Sequence, residues 1–308
     1  MKQVLVTGAS GCVGRHVLPL LVERGWTVHA VSSREIAPEH GVEWHRSDLL
    51  DSRQVVDLVE RVRATHLLHL AWYLPPGRWA NADESYQWVQ ASIGLMRAFH
   101  RAGGQRMVGA GSCLEYDWSA GVCSEDRTPL TPHTGYGACK NALQELLAAY
   151  CRDRNLSSAW GRIFFLYGPH EHPDRLVSAA VRALLKGEPA RCSHGRQIRD
   201  YLYAGDVADA FVTLLESELT GPVNIASGDP VRLSEIVRRV GDLLGRPDLI
   251  HLGAIPAAST DVPVVVADTT RLVARLDWRP RYTLDAGLEA TIAWWRARLK
   301  AETTEAVQ

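Results

Sequence analysis

The 308-residue sequence has almost no net charge and no long hydrophobic run. Its 34 lysines and arginines against 35 aspartates and glutamates leave a charge of −1, so no excess of positive charge would attract nucleic acid or an anionic membrane. No apolar run approaches the roughly 18 residues of a membrane-spanning helix, and the chain starts without a cleavable signal. We therefore expect a cytoplasmic protein whose partner is a small molecule.

The six cysteines also lack the spacing of a disulfide framework or of a metal site. Several of them fall inside segments that read as helices or strands. We interpret them as reduced structural thiols, and the sequence predicts no metal ligands.

A glycine-rich stretch does follow the apolar N-terminal segment. Val4–Val6 predicts a buried strand, and the glycines after it predict a tight turn that opens a helix. Such a turn lets the backbone approach a pyrophosphate, and the free N–H groups of the helix face the anion. The Gly-x-x-Gly-x-x-Gly spacing is not the commonest fingerprint, but its place after a strand favours a dinucleotide site over an ordinary turn. The expected cofactor contacts are Gly8, Ser10, Gly11, Cys12, Val13 and Gly14.

Strands and helices alternate over the first 165 residues or so, which is typical of parallel pairing. Further strands are predicted at 27–31, 42–45, 66–70, 107–110 and 158–163, and the longest helices at 83–102 and 136–155. The expected fold is α/β, a Rossmann-type doubly wound parallel sheet with a smaller, mixed α/β C-terminal substrate lobe.

The domain boundaries follow from this pattern. We assign residues 1–165 to an NAD(P)-binding domain, to which segments near 200–230 return, and residues 166–300 to the substrate-binding lobe. Residues 301–308 are expected to form a frayed tail.

The residues after the second strand indicate which dinucleotide binds. A carboxylate normally receives the ribose hydroxyls there, but this chain has Ser32, Ser33 and Arg34. Hydroxyls and a guanidinium suit a 2′-phosphate, which a carboxylate would repel, so we predict NADP(H) over NAD(H). The alternative is that Arg34 is a solvated loop residue. Asp48 and Leu49, after the third strand, are expected to bracket the adenine.

Tyr136 and Lys140 lie four residues apart in a predicted helix and therefore share a face. A neighbouring cation favours phenolate, so the pair could exchange a proton with a carbonyl or hydroxyl. Ser112 ends the strand at 107–110, at the edge where such sheets bind ligands, and can hydrogen-bond the same oxygen. The alternative is a tyrosine that only packs between helices.

Taken together, these motifs resemble the extended short-chain dehydrogenase/reductase family, most of all its nucleotide-sugar branch of epimerases, 4,6-dehydratases and 4-ketoreductases. The resemblance implies a Ser112, Tyr136 and Lys140 triad, with Lys140 also holding the nicotinamide ribose. It further implies a homodimer formed through the helices near 83–102 and 136–155, and cofactor contacts at Leu70 and Ala71. The matching motifs are Gly8–Gly14, Asp48-Leu49, His69-Leu70-Ala71, Ser112, Tyr136–Lys140, Tyr167-Gly168-Pro169, Arg199–Tyr203 and Asn224–Gly228.

Within that branch the residues favour one reaction. The dehydratases carry Asp and Glu after the catalytic threonine, whereas Cys113 and Leu114 follow Ser112 here, which argues against dehydration. Epimerisation at C3 or C5 needs a further acid/base pair, for which Cys113, His133, His170 and His172 are candidates without a matching placement. Epimerisation at C4 with tightly bound NAD needs no extra residue and is the competing interpretation. We expect NADPH-dependent reduction of the 4-keto group of a nucleotide-activated 6-deoxyhexose, a step of deoxysugar biosynthesis.

Two departures from the branch concern the substrate. Phe165 replaces the usual asparagine before Tyr-Gly-Pro, and 258–261 replaces a segment that usually supplies a phosphate-binding arginine, which leaves Arg199 as the candidate for the diphosphate. A reductase of a non-nucleotide ketone is therefore a further alternative, as is an NADP-binding sensor without catalysis. The substrate contacts expected are Trp72, Cys113, Phe165, His170 and Arg199.

Overall fold

The computed structural model describes residues 2–74, 77–257 and 262–305. The strands in this part of the chain are β1 (Gln3–Thr7), β2 (Thr27–Ser32), β3 (Val42–Arg46), β4 (His66–His69), β5 (Arg106–Ser112), β6 (Val122–Cys123), β7 (Ser157–Ile163), β8 (Phe165–Tyr167), β9 (Ala190–Cys192), β10 (Ile198–Tyr203), β11 (Gly221–Ile225), β12 (Pro230–Arg232), β13 (Ile250–Leu252) and β14 (Val264–Ala267). The helices are α1 (Cys12–Glu23), α2 (Ser52–Val62), α3 (Glu84–Arg101), α4 (Gly135–Asp153), α5 (Leu176–Leu185), α6 (Ala204–Glu216), α7 (Leu233–Leu243), α8 (Thr270–Leu276) and α9 (Leu284–Glu305).

The larger sheet has seven strands in the order β11-β7-β5-β4-β1-β2-β3, and all neighbours are parallel. β1 lies between β2 and β4, so the chain leaves β1 toward one edge and later returns to build the other. A crevice opens at the carboxyl ends of the strands at such a switch point. The Rossmann-type α/β fold predicted from the sequence is confirmed.

Helices cover both faces of this sheet because its strands are apolar on both sides. Val4 and Val6 of β1 belong to the core under α1 and α6, whereas Leu5 belongs to the core under α2, α3 and α4. All three side chains are fully buried. Burial of each such side chain contributes about 1.5–3 kcal/mol, so this alternation fixes the strand between its two helical layers.

The smaller lobe has a mixed sheet in the order β12-β10-β14-β6, with β8 also pairing with β10 and a separate β9–β13 pair. Residues of α5, α7 and α9, including Trp295 of α9, form its core together with Tyr167 of β8. β8 connects directly to β7 of the large sheet, so the two lobes meet next to the carboxyl end of β7.

Segments far along the chain complete the large sheet. β11 pairs with β7 along its full length, and α6 packs against α1. The last helix extends to Glu305, so the first residues of the expected tail at 301–308 are helical. The segment 258–261, singled out for its missing arginine, lies outside the described residues. Among the helices that are described, none is long and apolar enough to cross a membrane.

Candidate active site

The glycine turn has the shape that a pyrophosphate needs. Gly8 has a φ of +69°, and a Cβ there would lie 2.6 Å from the Ala71 backbone nitrogen. A Cβ on Gly14 would lie 2.3 Å from the Gly8 carbonyl oxygen, and one on Gly11 3.1 Å from the same atom. Gly11 is the N-cap of α1, and no described side chain caps the first N–H groups of the helix. The turn therefore fits a dinucleotide, with backbone donors at a helix N-terminus facing the phosphates.

The other turn residues support this backbone. The Ser10 carbonyl accepts a hydrogen bond of 3.1 Å from Arg15 Nε, and Val13 packs against the core beneath α1. The Cys12 thiol lies 3.6 Å from the Pro169 carbonyl oxygen, and burial raises its pKa to about 12. Cys12 is therefore a neutral thiol that ties the glycine turn to the loop after β8.

At the carboxyl ends of β2 and β3, three of the five residues predicted to bind the adenosine half are exposed and two are buried. Ser32 is buried and its Oγ accepts from the Arg34 backbone nitrogen at 3.1 Å, whereas Ser33 and Arg34 are exposed. Asp48 is exposed with its backbone held by the Gln54 side chain, and Leu49 is buried. The Ser33 and Arg34 side chains are thus accessible at the carboxyl end of β2, and their contact with the adenosine half of a dinucleotide stays a prediction.

A buried polar chain lies beneath the predicted contacts Leu70 and Ala71. The Thr7 hydroxyl is 2.7 Å from His69 Nδ1, and His69 Nε2 is 2.8 Å from the Ser92 hydroxyl. Burial, with the charge of Lys140, lowers the pKa of His69 to about 3, so the imidazole is neutral. The sequence placed His69 in a family motif without giving it a role; its contacts connect β1, β4 and α3 beneath Leu70 and Ala71.

The three predicted catalytic residues come together at the end of β5. Ser112 is its last residue, and Tyr136 and Lys140 lie in the first turns of α4. The Thr134 hydroxyl caps α4 by accepting from the Gly137 backbone nitrogen at 3.0 Å. A Cβ on Gly137 would lie 2.2 Å from the Leu114 carbonyl oxygen, so this glycine lets α4 approach the turn after Ser112. That close approach positions Tyr136 beside Ser112.

Burial governs the ionisation of these residues. It raises the pKa of the Tyr136 phenol well above its usual range, with the Glu115 charge acting in the same direction and a hydrogen bond with Ser112 against it. Burial also lowers the pKa of Lys140, although Glu115 partly offsets this effect. Lys140 Nζ donates to the Ala110 carbonyl at 2.8 Å and lies 3.8 Å from the centre of the Trp72 ring. The Lys140 ammonium is thus positioned by a carbonyl and an aromatic face rather than by a carboxylate.

Glu115 is the residue of this site that sequence reasoning missed. It is fully buried and accepts hydrogen bonds from Arg162 Nε at 2.6 Å, Trp160 Nε1 at 3.0 Å and the Ser112 backbone nitrogen at 2.7 Å. The spacing Ser112-x-x-Glu115 forms a capping box, which is a signal readable from sequence. The pair of Glu115 and Arg162 holds the end of β5, and with it the Ser112 hydroxyl, in one place.

Aromatic rings enclose the Tyr136 phenol. Trp72 and Trp79 meet its ring edge-on, with centroids 6.1 and 5.7 Å away. The Trp72 indole N–H is buried and has no hydrogen-bond partner among the described residues, so it is a donor available to a ligand. The exposed Arg175 guanidinium lies 5.9 Å from the Trp79 ring and adds positive charge near Tyr136. Arg175 was not singled out from the sequence.

The remaining predicted substrate contacts fall into two groups. Cys113 and Phe165 share an apolar cluster, and Phe165 stacks on Tyr201 with centroids 5.6 Å apart. Arg199 is 3% exposed and donates to the carbonyls of Ile198 and Val262, both at 2.9 Å. These bonds tie Arg199 to the small sheet, and its contact with a diphosphate stays a prediction.

His170 lies on the opposite side, in the loop after β8. It packs against Trp294 of α9 and His16 of α1, with centroids 4.9 and 5.9 Å away, and burial lowers its pKa to about 4. Its neighbour Glu171 is buried, accepts from the Ser178 hydroxyl at 2.9 Å and has a pKa that burial raises to about 8. His170 thus lies where the loop packs on α1 and α9, and Glu171 lies against α5. Substrate binding by His170 stays a prediction.

Comparison with known proteins agrees with this arrangement. The model of the NAD dependent epimerase/dehydratase family matches residues 4–226. A UDP-glucuronate 4-epimerase from Thermodesulfobacterium geofontis (strain OPF15) is 22% identical over 320 residues, which cover 97% of this chain and 98% of that protein.

Two solved structures are similar over nearly the whole chain. MoeE5 in complex with UDP-glucuronic acid and NAD is 31% identical with a TM-score of 0.84, covering 96% of this chain and 99% of that one. The UDP-glucose 4-epimerase of Thermus thermophilus in complex with NAD is 25% identical with a TM-score of 0.86, again covering 96% and 99%.

Proposed function

Since the chain belongs to the NAD dependent epimerase/dehydratase family, we propose that it transfers a hydride between a nicotinamide dinucleotide and C4 of a nucleotide-activated hexose. One observation carries the proposal, namely the grouping of Tyr136 and Lys140 around Trp72, with Ser112 beside Tyr136. Trp72 directly follows Ala71, against which the glycine turn packs. A cofactor seated on that turn therefore reaches the residues that handle protons.

The roles of the residues follow from their contacts. The nicotinamide, when bound, supplies or accepts the hydride. The Ser112 hydroxyl orients the oxygen on C4, and the Tyr136 hydroxyl gives that oxygen its proton during reduction or takes it during oxidation. Lys140, four residues further along α4, favours the Tyr136 phenolate when it carries its proton, because a neighbouring cation stabilises an anion in an enclosed site. Glu115 and Arg162 keep Ser112 in register with Tyr136.

Net reduction by NADPH is the reaction that we place first. Ser32, Ser33 and Arg34 offer hydroxyls and a positive charge where a carboxylate would select NAD, and a dissociating reductant is commonly NADPH. Dehydration lacks its acid and base, because Cys113 is buried and Glu115 is bound to Arg162. The substrate in this proposal is a 4-keto-6-deoxyhexose carried on a nucleotide.

Epimerisation at C4 with retained NAD is the second candidate, and the comparisons favour it. The T. thermophilus and MoeE5 structures are complexes with NAD, and the T. geofontis relative is a 4-epimerase. Ser112, Tyr136 and Lys140 suffice for oxidation at C4 of the sugar followed by return of the hydride to the other face of the sugar. Arg175, exposed beside Trp79, suits an anionic group such as a sugar carboxylate or the diphosphate.

The two candidates are separated by the fate of the cofactor. The nucleotide released from the denatured protein is identified first, and the protein is then supplied with NADPH and dTDP- or CDP-4-keto-6-deoxyglucose. A reductase consumes one NADPH per sugar. An epimerase instead retains NAD and converts UDP-glucose or UDP-glucuronic acid into its C4 epimer, with no net consumption of the cofactor. If no nucleotide sugar is converted under either condition, the proposal is wrong.

Tyr136→Phe tests the proton transfer itself. The variant should lose at least about 100-fold in turnover and still bind the cofactor, since only the phenolic hydroxyl, the group that transfers the proton, is removed. Tyr150→Phe is the matched control, because Tyr150 lies on the same helix and its hydroxyl contacts His100. Equal loss in both variants would refute the assigned role.

We also propose a homodimer that forms through α3 and α4. These helices pack side by side, and each exposes a large side chain that a second copy would cover, Tyr86 on α3 (62%) and Leu146 on α4 (50%). Light scattering should give twice the 34.0 kDa chain mass for the wild type and a smaller mass for Leu146→Arg. A monomeric wild type would refute the proposal.

A further inference from the structure

Two histidines and a glutamate converge at the outer edge of the large sheet, away from the catalytic residues. His29 lies on β2, and Glu43 and His45 lie on β3. His29 is paired directly with Glu43 in the strand register, and His45 follows Glu43 by two residues, so all three side chains leave the same face of the sheet. Strands β4, β1 and β2 separate β3 from β5, which carries Ser112.

The polar atoms of the three side chains lie close together. His29 Nδ1 lies 3.0 Å from His45 Nε2, Glu43 Oε2 lies 3.4 Å from His29 Nδ1, and Glu43 Oε1 lies 3.6 Å from His45 Nε2. Atoms that bind Zn²⁺ at about 2.0–2.2 Å in a tetrahedron lie about 3.3–3.5 Å from one another. One ligand atom from each of the three side chains lies within 4.8 Å of the other two, so small side-chain shifts bring all three to the spacing of a single bound ion.

We propose that His29, Glu43 and His45 bind a divalent transition-metal ion, with Zn²⁺ as the ion that the ligand set fits best. Two imidazoles and a carboxylate are ligands that Zn²⁺ takes readily, and they exclude Mg²⁺ and Ca²⁺, which prefer oxygen. Both histidines are 8% exposed while the Glu43 side chain is 64% exposed, so the fourth position opens to solvent and takes water. The ion clamps the edge strand β3 to β2 just below the Ser32–Arg34 segment.

Zn²⁺ titration in competition with a chromophoric chelator tests the site in the whole chain. The wild type, stripped of metal, should bind one equivalent, and His45→Gln and Glu43→Gln should each bind about 100-fold more weakly or worse. His40→Gln is the matched control, since His40 is an exposed histidine in the loop before β3. Equal affinity in the wild type and His45→Gln, or no tight binding at all, would overturn the proposal.

Two further measurements distinguish zinc binding at this site from a folding defect in the variants and from zinc binding by cysteines. Without zinc, Glu43→Gln should unfold like the wild type because the side chain is exposed, and zinc should raise the melting temperature of the wild type alone. X-ray absorption at the zinc edge should show nitrogen and oxygen near about 2.0–2.1 Å. A sulfur shell near about 2.3 Å would assign the ion to cysteines and refute the site.

Discussion

Replacing the buried carboxyl of Glu171 with an amide should make the protein more stable above neutral pH. Burial raises the pKa of Glu171 from 4.5 to about 8, and the residue is 8% exposed. In the unfolded chain the group ionises at its usual value, so between the two values the native state holds one proton more than the unfolded state. The free energy of unfolding therefore falls as pH rises, by about 1.4 kcal/mol per pH unit.

The Glu171→Gln substitution removes this pH dependence of the free energy of unfolding and still fills the space of the glutamate side chain. From about pH 5 to about pH 8, the loss due to Glu171 is on the order of 4 kcal/mol, and Glu171→Gln should not show it. The Gln oxygen can still accept the hydrogen bond that the Ser178 hydroxyl now donates at 2.9 Å. The variant should thus resemble the wild type near pH 5 and exceed it by several kcal/mol near pH 8.

Urea unfolding at a series of pH values measures this difference. Glu188→Gln serves as the control, because Glu188 is exposed and lies after the neighbouring helix α5. Asp200 and Asp206 also have pKa values raised by burial, so the difference between wild type and variant, not the wild-type curve alone, carries the test. A difference that does not change with pH would refute the reasoning.

Three further substitutions probe the site. Gly14→Ala should destabilise the protein by about 1–3 kcal/mol in thermal unfolding and weaken cofactor binding, because its Cβ would lie 2.3 Å from a backbone atom. Gly94→Ala is the control and should cause neither loss, because a Cβ there meets open space on the helix surface. Glu115→Gln should cost about 3–5 kcal/mol in urea unfolding by leaving Arg162 buried without its carboxylate, and no loss would contradict the buried pair. Arg34→Asp should lower the affinity for NADPH relative to NADH by about 10- to 100-fold in fluorescence titration, and an unchanged ratio would remove Arg34 from the cofactor site.

Much of the large sheet is readable from sequence because each of its strands is an apolar run next to the helix that covers it. The small strands of the other lobe escape such prediction for a physical reason. β6 has two residues and pairs with β14, some 140 positions later in the chain, so neither segment carries its own periodicity. Their structure depends on contacts that only the folded chain provides.

The candidate site likewise has features that are visible in the sequence and others that depend on the folded chain. The spacing of Tyr136 and Lys140 on one helix is local and therefore visible in the sequence, as is the glycine turn. The partner of Glu115 is Arg162 on another strand, and the partner of His69 is Ser92 on α3, so their roles appear only when β5, β7 and β4 pair. Buried ionisable groups of this kind are the part of a site that sequence spacing conveys least.

The position of β11 at the end of the large sheet has a consequence for synthesis on the ribosome. The apolar face under α1 is closed by Phe211 and Leu214 of α6 and by Val223 of β11, all fully buried. None of these residues has been translated when the first 165 have emerged. The nascent nucleotide-binding half must therefore wait, with an apolar face uncovered, for some 60 more residues, and a fragment ending near residue 165 should aggregate when expressed alone.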